Sequence, residues 1–362
     1  MSGDRLKGFF AKHPLLANCT LTVVTLGVLA LLLEICLRLL YPSVQNIEVQ
    51  KVQSFLRLDP TVGYLWQPNL SEPAGTFKWA DQVPQSLTTD ADGFFNDADA
   101  IAMAASGQQV DVIGLGDSFM HDAAKTLFAV FKQESIFYYS LAMHRHSPPQ
   151  YNLILRDRAA RYKPRVIIYG VYENDFDETE DFENWRQSEL DWFAFHSGTW
   201  AGRPVSGNLM TRQVQAWFPA LSRQVLRPLG IGLNSMPKAA SADKVARYVS
   251  EATSLAGSVP ARFLVVLIPS KETAVQGLPQ TGATYDQLVQ RLGGNADLLL
   301  LDLREWFAAC CSEEDRASLY YKIDGHWNER GIREGARAIL RVLRDVNARE
   351  TSALLRLDRR DQ

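Results

Sequence analysis

"DVIGLGDSFM", Asp111 to Met120, carries an apolar run from Val112 to Leu115 into a glycine and then into Asp-Ser-Phe. A buried strand that stops at a glycine hands the chain to a helix whose first side chains are a carboxylate and a hydroxyl. Such a turn has two uses. Serine and aspartate cap helix starts, so Ser118 can be a cap; alternatively the turn exists to present Ser118 to a substrate. A histidine and an acid elsewhere in the chain, at matching positions, are what separates the two. Outward from this strand lie "RVIIYGV" from Arg165, "RFLVVLI" from Arg262 and "DLLLLDL" from Asp297, with the aromatic "SIFYYSL" from Ser135 as a fifth, less marked run. Continuous Val, Ile and Leu runs suit strands covered on both faces. Between them stand helical stretches, "AAKTLFAVFKQ", "YNLILRDRAARY", "ADKVARYVSEATSLAG" and "NERGIREGARAILRVLRDV". The alternation predicts an α/β domain with a three-layer parallel sheet and right-handed crossovers. Ligands gather at the carboxyl ends of the strands in such sheets, and Ser118 follows one of those ends.

With 362 residues, 46% hydrophobic and 22% charged, the chain has ample material for a large core. A net charge of -3 gives no basic surface, so nucleic acid is excluded as a partner. Cys19, Cys36, Cys310 and Cys311 form no disulfide framework and no CxxC pair. His144 and His146 lack a third ligand nearby and read as loop residues. No metal and no organic cofactor is expected.

Residues 15–40 read as a transmembrane anchor after a cytoplasmic tail at 1–14; the apolar run is broken only by Glu34 and Arg38, four apart and able to pair on a helix. Arg5, Lys7 and Lys12 precede it, which puts the N-terminus in the cytoplasm and everything after Tyr41 outside. A cleaved signal peptide is the rival, but no small-x-small site follows the run. Residues 42–362 then form one domain. Its 42–109 segment is expected to wrap the sheet's edge. An insertion at 175–240 begins acidic, turns aromatic with Trp185, Trp192 and Trp200, and ends with Arg203, Arg212, Arg223 and Arg227. It reads either as a lid or binding element, or as a solvated loop followed by packed helices.

Two more strand ends bear on Ser118. "YGVYENDFD" sets Asn174 just past the strand from Arg165, and "YYKIDGHWNERG" sets Asp324 and His326 two apart before the last helix. In an extended segment i and i+2 point the same way, so the carboxylate and imidazole can lie side by side. A serine hydroxyl needs a base, a carboxylate to orient that base, and donors for the developing oxyanion. Ser118, His326, Asp324 and Asn174 could supply these roles, although singly they also read as a helix cap, a satisfied interior histidine, the cap of the final helix and a turn asparagine.

With "GDSF" at Gly116 to Phe119, "END" at Glu173 to Asp175 and "DGHWNERG" at Asp324 to Gly331, the chain resembles the SGNH (GDSL-type) hydrolase superfamily. It is most similar to the membrane-anchored bacterial branch that includes alginate O-acetylation-type proteins, with Asp-x-His followed by Trp. "DPTVGYLWQPN" from Asp59, "TTDADGFFND" from Thr88 and "LIPSKETAV" from Leu267 extend the resemblance along nearly the whole chain. It implies a flavodoxin-like SGNH domain in which Ser118, Asp324 and His326 are catalytic, and in which the Ser118 N–H and the Asn174 amide hold the oxyanion. The substrate it implies is an acyl ester, acetyl above all, of an envelope or secreted polysaccharide, on the periplasmic side of a bacterial inner membrane, beside polysaccharide-biosynthesis partners. One block departs. Where the family carries glycines before its second helix, this chain has "SLAMHRHSPPQY", with Ala142 and Arg145 in their places. Arg145 lacks glycine's freedom at positive φ; the loop can instead have a shape in which Arg145, or His144 and His146, holds an anionic substrate. Hydrolysis and acyl transfer both remain open. So do a catalytically weak carbohydrate-binding or assembly subunit and a lipase-like acyl hydrolase.

Overall fold

Val112–Leu115, the strand of the quoted stretch, is β1 in the computed structural model, which describes residues 13–40, 49–76, 81–196, 239–258, 261–276, 279–322 and 324–358. It pairs in parallel with β2 (Tyr138–Ser140) on one side and β3 (Val166–Tyr172) on the other. β4 (Arg262–Ile268) and β5 (Leu298–Asp302) continue the sheet in the order β2-β1-β3-β4-β5, parallel throughout. Every residue of β1 and six of seven in β4 are buried, so both faces are covered, as continuous apolar runs require. Helices fall into two groups. α1 (Ser118–Gln133) packs on α7 (Glu329–Asp358), while α2 (Pro148–Asp157), α3 (Asp175–Arg186) and α5 (Pro279–Leu292) pack on α4 (Ala239–Gly257); α6 (Leu303–Cys310) joins β4 and α7. The strand order reverses direction between β1 and β3. A crevice opens at that point in such sheets, and Ser118 and Asn174 follow its two strands.

Glycine makes the crevice possible. Met120, fully buried, lies between the ends of β1 and β3, and a Cβ on Gly116 or on Gly170 would stand 2.4 or 2.5 Å from its Cγ. The near-root atoms of Met120 cannot swing away, so both strands need a bare backbone there. At the sheet's edge, Asn96 pairs with the Ser140 backbone through both side-chain ends, 2.9 and 2.8 Å, and so occupies the open side of β2. Asn96 belongs to a border of short hairpins, Leu56–Asp59 with Gly63–Trp66 and Ser71–Glu72 with Leu87–Thr88. Their Tyr64, Trp66 and Phe94 enter the main core.

The chain divides into two units, and of the first only the helix Pro14–Leu40 falls within the described residues. Its window Asn18–Leu37 has mean hydropathy 2.3 and is 6% buried. This one N-terminal helix is long and apolar enough to cross a membrane, a property that a signal sequence shares. Arg5, Lys7, Lys12 and the side chain of Arg38, expected to orient and pair with this helix, lie outside the described residues. So do Trp200, Arg203, Arg212, Arg223 and Arg227 of the 175–240 segment. Its described part forms α3 and a short helix, Trp192–Phe195. Trp185 and Trp192 are buried and meet edge to face at 5.3 Å, so neither indole is offered to a lipid or ligand.

Replacing Gly170 by Ala is expected to lower unfolding stability by about 1–3 kcal/mol, through overpacking against Met120. Met120→Ala in the same protein should recover part of the loss relative to its own single variant, measured by denaturant titration.

Candidate active site

The Gly-Asp-Ser turn resolves the question its sequence raises. Asp117, not Ser118, is the N-cap of α1: its carboxylate accepts from the Phe119 N–H at 3.0 Å. Ser118 is thereby released from capping, and as the first residue of α1 its N–H has no partner within the helix. Ser118 Oγ lies 2.8 Å from His326 Nε2. The other ring nitrogen, Nδ1, bonds Asp324 Oδ1. Ser118, His326 and Asp324 are thus brought into one hydrogen-bonded line, 208 residues of chain being closed between the first two.

Asp324 and His326 meet by a different route from the extended segment expected. The chain bends at Gly325, whose φ is +87°, and the His326 N–H donates to Asp324 Oδ1 at 3.2 Å, an Asx turn. The turn is closed by the Tyr321 N–H on His326 O at 2.8 Å and by Lys271 Nζ on the carbonyls of Tyr321 and Lys322. The residues next to Ser118 and His326 hold them in place. Phe119 stacks on the His326 ring at 4.6 Å and on Tyr172 at 3.9 Å; the Trp327 indole donates to Phe119 O at 2.9 Å. Asn328 Oδ1 accepts from Arg330 and Gly331 N–H and so caps α7.

In the "END" segment each residue has its own task. Glu173 ties the end of β3 to β4 by accepting from Thr273 Oγ1 at 2.6 Å and Ser270 N–H at 3.2 Å. Asn174 hydrogen-bonds Asp117, and its buried Oδ1 has no hydrogen-bond partner among the described residues. Asp175 is wholly buried under the turn, accepting from Tyr151 Oη at 2.7 Å and Tyr172 N–H at 2.9 Å. Burial pushes the carboxyls of Asp117 and Asp175 up, and the charge of Asp117 adds to the rise at Asp175.

Arg145 does occupy left-handed backbone, with φ +56°, the conformation that a residue with a Cβ adopts at a cost of about 1–2 kcal/mol. Its guanidinium approaches Glu178 at 3.9 Å. His144 and His146 lie in the loop before α2, as read from sequence, and are buried there. His146 Nε2 bonds Tyr64 O at 3.0 Å, and burial depresses its imidazole to about 3. His144 Nε2 bonds Asp122 Oδ1 at 2.9 Å. Both rings are turned inward to protein partners.

Asp122 and His121 were not singled out by sequence, although Ser118, His121 and Asp122 at i, i+3 and i+4 share a helix face. His121, Asp122 and His144 place a ligand atom each within 4.8 Å of one another, close enough for a small cation. The Trp66 indole argues against that use. It can only donate, and it donates to His121 Nε2 at 2.9 Å; the His121 proton is therefore on Nδ1, aimed at Asp122 Oδ1 at 2.9 Å. Protons already join the three groups. Burial, with His144, holds His121 down at about 4, so it stays neutral; the two histidines hold Asp122 well below the usual carboxylate range despite its burial.

Burial lowers the basicity of His326, yet the hydrogen bond and charge of Asp324, with Asp122 and Asp117 behind it, outweigh burial and raise it to about 9. Asp324 is held below its ordinary value, chiefly by His326 against its own burial. A raised histidine stabilises the fold fully below 6.5 and loses that contribution as pH climbs through about 9. Carbon-13 NMR of histidine-labelled protein should show one imidazole titrating near 9, moving below 6.5 in Asp324→Asn.

No family model matches the chain, and no curated protein matches it in sequence. Among solved structures it is similar to a GDSL-like lipase from Bacteroides thetaiotaomicron, at 10% identity, over 69% of this chain and 98% of that one, with a TM-score of 0.41. It is also similar to an acetyl xylan esterase, at 14% identity, over 64% of this chain and 99% of that one, with a TM-score of 0.39. The likeness is one of chain path.

Proposed function

We propose that this chain is a membrane-anchored serine esterase or O-acyltransferase of the SGNH type, acting on small acyl esters, acetyl above all, of a polysaccharide outside the cytoplasmic membrane. The observation that carries the reading is the 2.8 Å contact of Ser118 Oγ with His326 Nε2, with Asp324 on the opposite nitrogen. Neutral His326 takes the hydroxyl proton as Ser118 attacks the ester carbonyl, and returns it to the departing alkoxide, leaving an acyl group on Ser118. A second nucleophile, water or a sugar hydroxyl, is deprotonated by the same imidazole and releases the acyl group. Asp324 keeps the ring oriented and stabilises the imidazolium.

The oxyanion donors in this reading are the Ser118 N–H at the start of α1 and the Asn174 amide, which has two N–H groups and uses one on Asp117. The left-handed backbone at Arg145 supports its N–H as a third donor, in the role of the family's loop glycine. Short acyl groups are favoured over long ones, because Trp185 and Trp192 pack inward. The apolar helix Pro14–Leu40 serves as an uncleaved anchor, with its basic flank in the cytoplasm and the sheet domain outside.

A fluorophosphonate probe, which requires an activated serine, should label the full chain and not its Ser118→Ala variant. p-Nitrophenyl acetate turnover should fall by at least about a thousandfold in Ser118→Ala. Because the base must be neutral, kcat/KM should climb as pH rises toward about 9, in the direction opposite to the stability contribution of the same ring. Labelling of Ser118→Ala equal to the unmodified protein would sink the reading. Acetate as the sole product marks an esterase; acetylated sugar, when an oligosaccharide is supplied, marks a transferase.

A further inference from the structure

Two carboxylates converge on one side-chain nitrogen beside the triad. Gln82 Nε2 lies 3.0 Å from Asp324 Oδ1 and 3.2 Å from Asp122 Oδ2. An amide NH2 has two hydrogens, so each carboxylate receives one. Asp324 and Asp122 are both held ionised by their histidines, and with no donor between them two anions at this separation repel.

Asp122 cannot move to relieve the repulsion. Oδ1 receives His121 Nδ1–H and His144 Nε2, each at 2.9 Å, and His121 is fixed in turn by Trp66. The segment bearing Gln82 is equally tied: the Asp324 N–H donates to Asp81 Oδ1 at 2.9 Å, the Val83 N–H to Tyr321 Oη at 3.3 Å, and Gln85 Nε2 to Asp122 O at 3.3 Å. Three chain segments far apart in sequence therefore meet at one amide.

We propose that Gln82 is a positioning residue for Asp324, and that Asp122, gripped by His121 and His144, is a fixed second anion against which Gln82 braces the triad acid. The inference rests on the triad reading above. Gln82 keeps Asp324 in line with His326 Nδ1, and Asp122 favours the imidazolium on His326 without touching it. The charged or titratable groups that bear on that ring are Asp324 from its own turn, Asp117 from the end of β1, and Asp122 and His121 from α1.

The test uses the full chain in detergent, with NMR titration of labelled histidines alongside p-nitrophenyl acetate kinetics. Gln82→Met keeps the side-chain length and removes the donors. Its kcat should fall about 10–100-fold, the factor for a lost hydrogen bond to a charged group, with KM within about twofold. The His326 midpoint should move down in the same variant as Asp324 leaves its line. Asp122→Asn removes the charge and should lower the His326 midpoint by about one pH unit; in that background Gln82→Met should cost less than about threefold. Unchanged kcat and an unchanged His326 midpoint in Gln82→Met would overturn the proposal, and that variant decides alone if Asp122→Asn does not fold. Wild-type turnover in Ser118→Ala would remove the esterase reading instead, while the His326 titrations still decide the role of Gln82.

Discussion

The hydrogen bond between Ser118 Oγ and His326 Nε2 closes a loop of 208 residues, and it exists only because the two ends of that loop are each fixed by the backbone. On one side Asp117 caps α1, so the serine starts the helix with its hydroxyl released from that duty. On the other, the Asx turn at Gly325 sets the imidazole and its acid in one plane of approach. The two sides are locked together by Phe119 and Trp327, one stacking on the histidine and the other donating back to the helix start. Both act by packing and backbone hydrogen bonding, and a shift of either would open the 2.8 Å contact. This division of labour explains why an aromatic directly follows Ser118 in "GDSF" and His326 in "DGHW".

Charge is the second constraint. Three carboxyl groups, Asp117, Asp122 and Asp324, lie buried or nearly so around one imidazole, with a fourth, Asp175, buried beside Asp117. Such a concentration is unfavourable unless each group has donors or shares its proton. The structure uses both solutions. Asp122 and Asp324 stay ionised because histidines and Gln82 donate to them, whereas Asp117 and Asp175 are pushed toward the neutral form. The resulting field favours imidazolium, the charge that the proposed deprotonation of Ser118 would develop.

Much of this was legible in the sequence. Continuous apolar runs at Val110, Arg165 and Arg262 marked strands because strands buried on both faces have no polar positions to alternate with; the run at Asp297 also forms a strand, but at the sheet's edge, where only Leu301 is buried rather than the whole run as expected. Ser118 and Asn174 were legible because a parallel sheet gathers its strand ends on one side; Asp324 and His326 follow no strand of the sheet, whose last one ends at Asp302, and were legible by their spacing before the last helix. What was not legible depends on contacts between distant segments. No local pattern marks Gln82, whose partners are 40 and 242 residues away. His144 and His146 looked like loop residues because their loop is short and polar; burial came from the hairpin that brings Tyr64 and Trp66 against them. The extended Asp-x-His expectation failed on Gly325, since a glycine between two polar residues more often marks a turn than a strand.

Everything about function turns on Ser118 carrying the acyl group in the course of the reaction. Rapid acid quenching of the full chain a few milliseconds after mixing with p-nitrophenyl acetate, followed by peptide mass spectrometry, reads this directly. An acetyl group on the peptide containing Ser118, absent from the His326→Ala variant, is the predicted result. Turnover with the acetyl group on another side chain, or with no acylated peptide when the released nitrophenol shows a burst, would contradict the account.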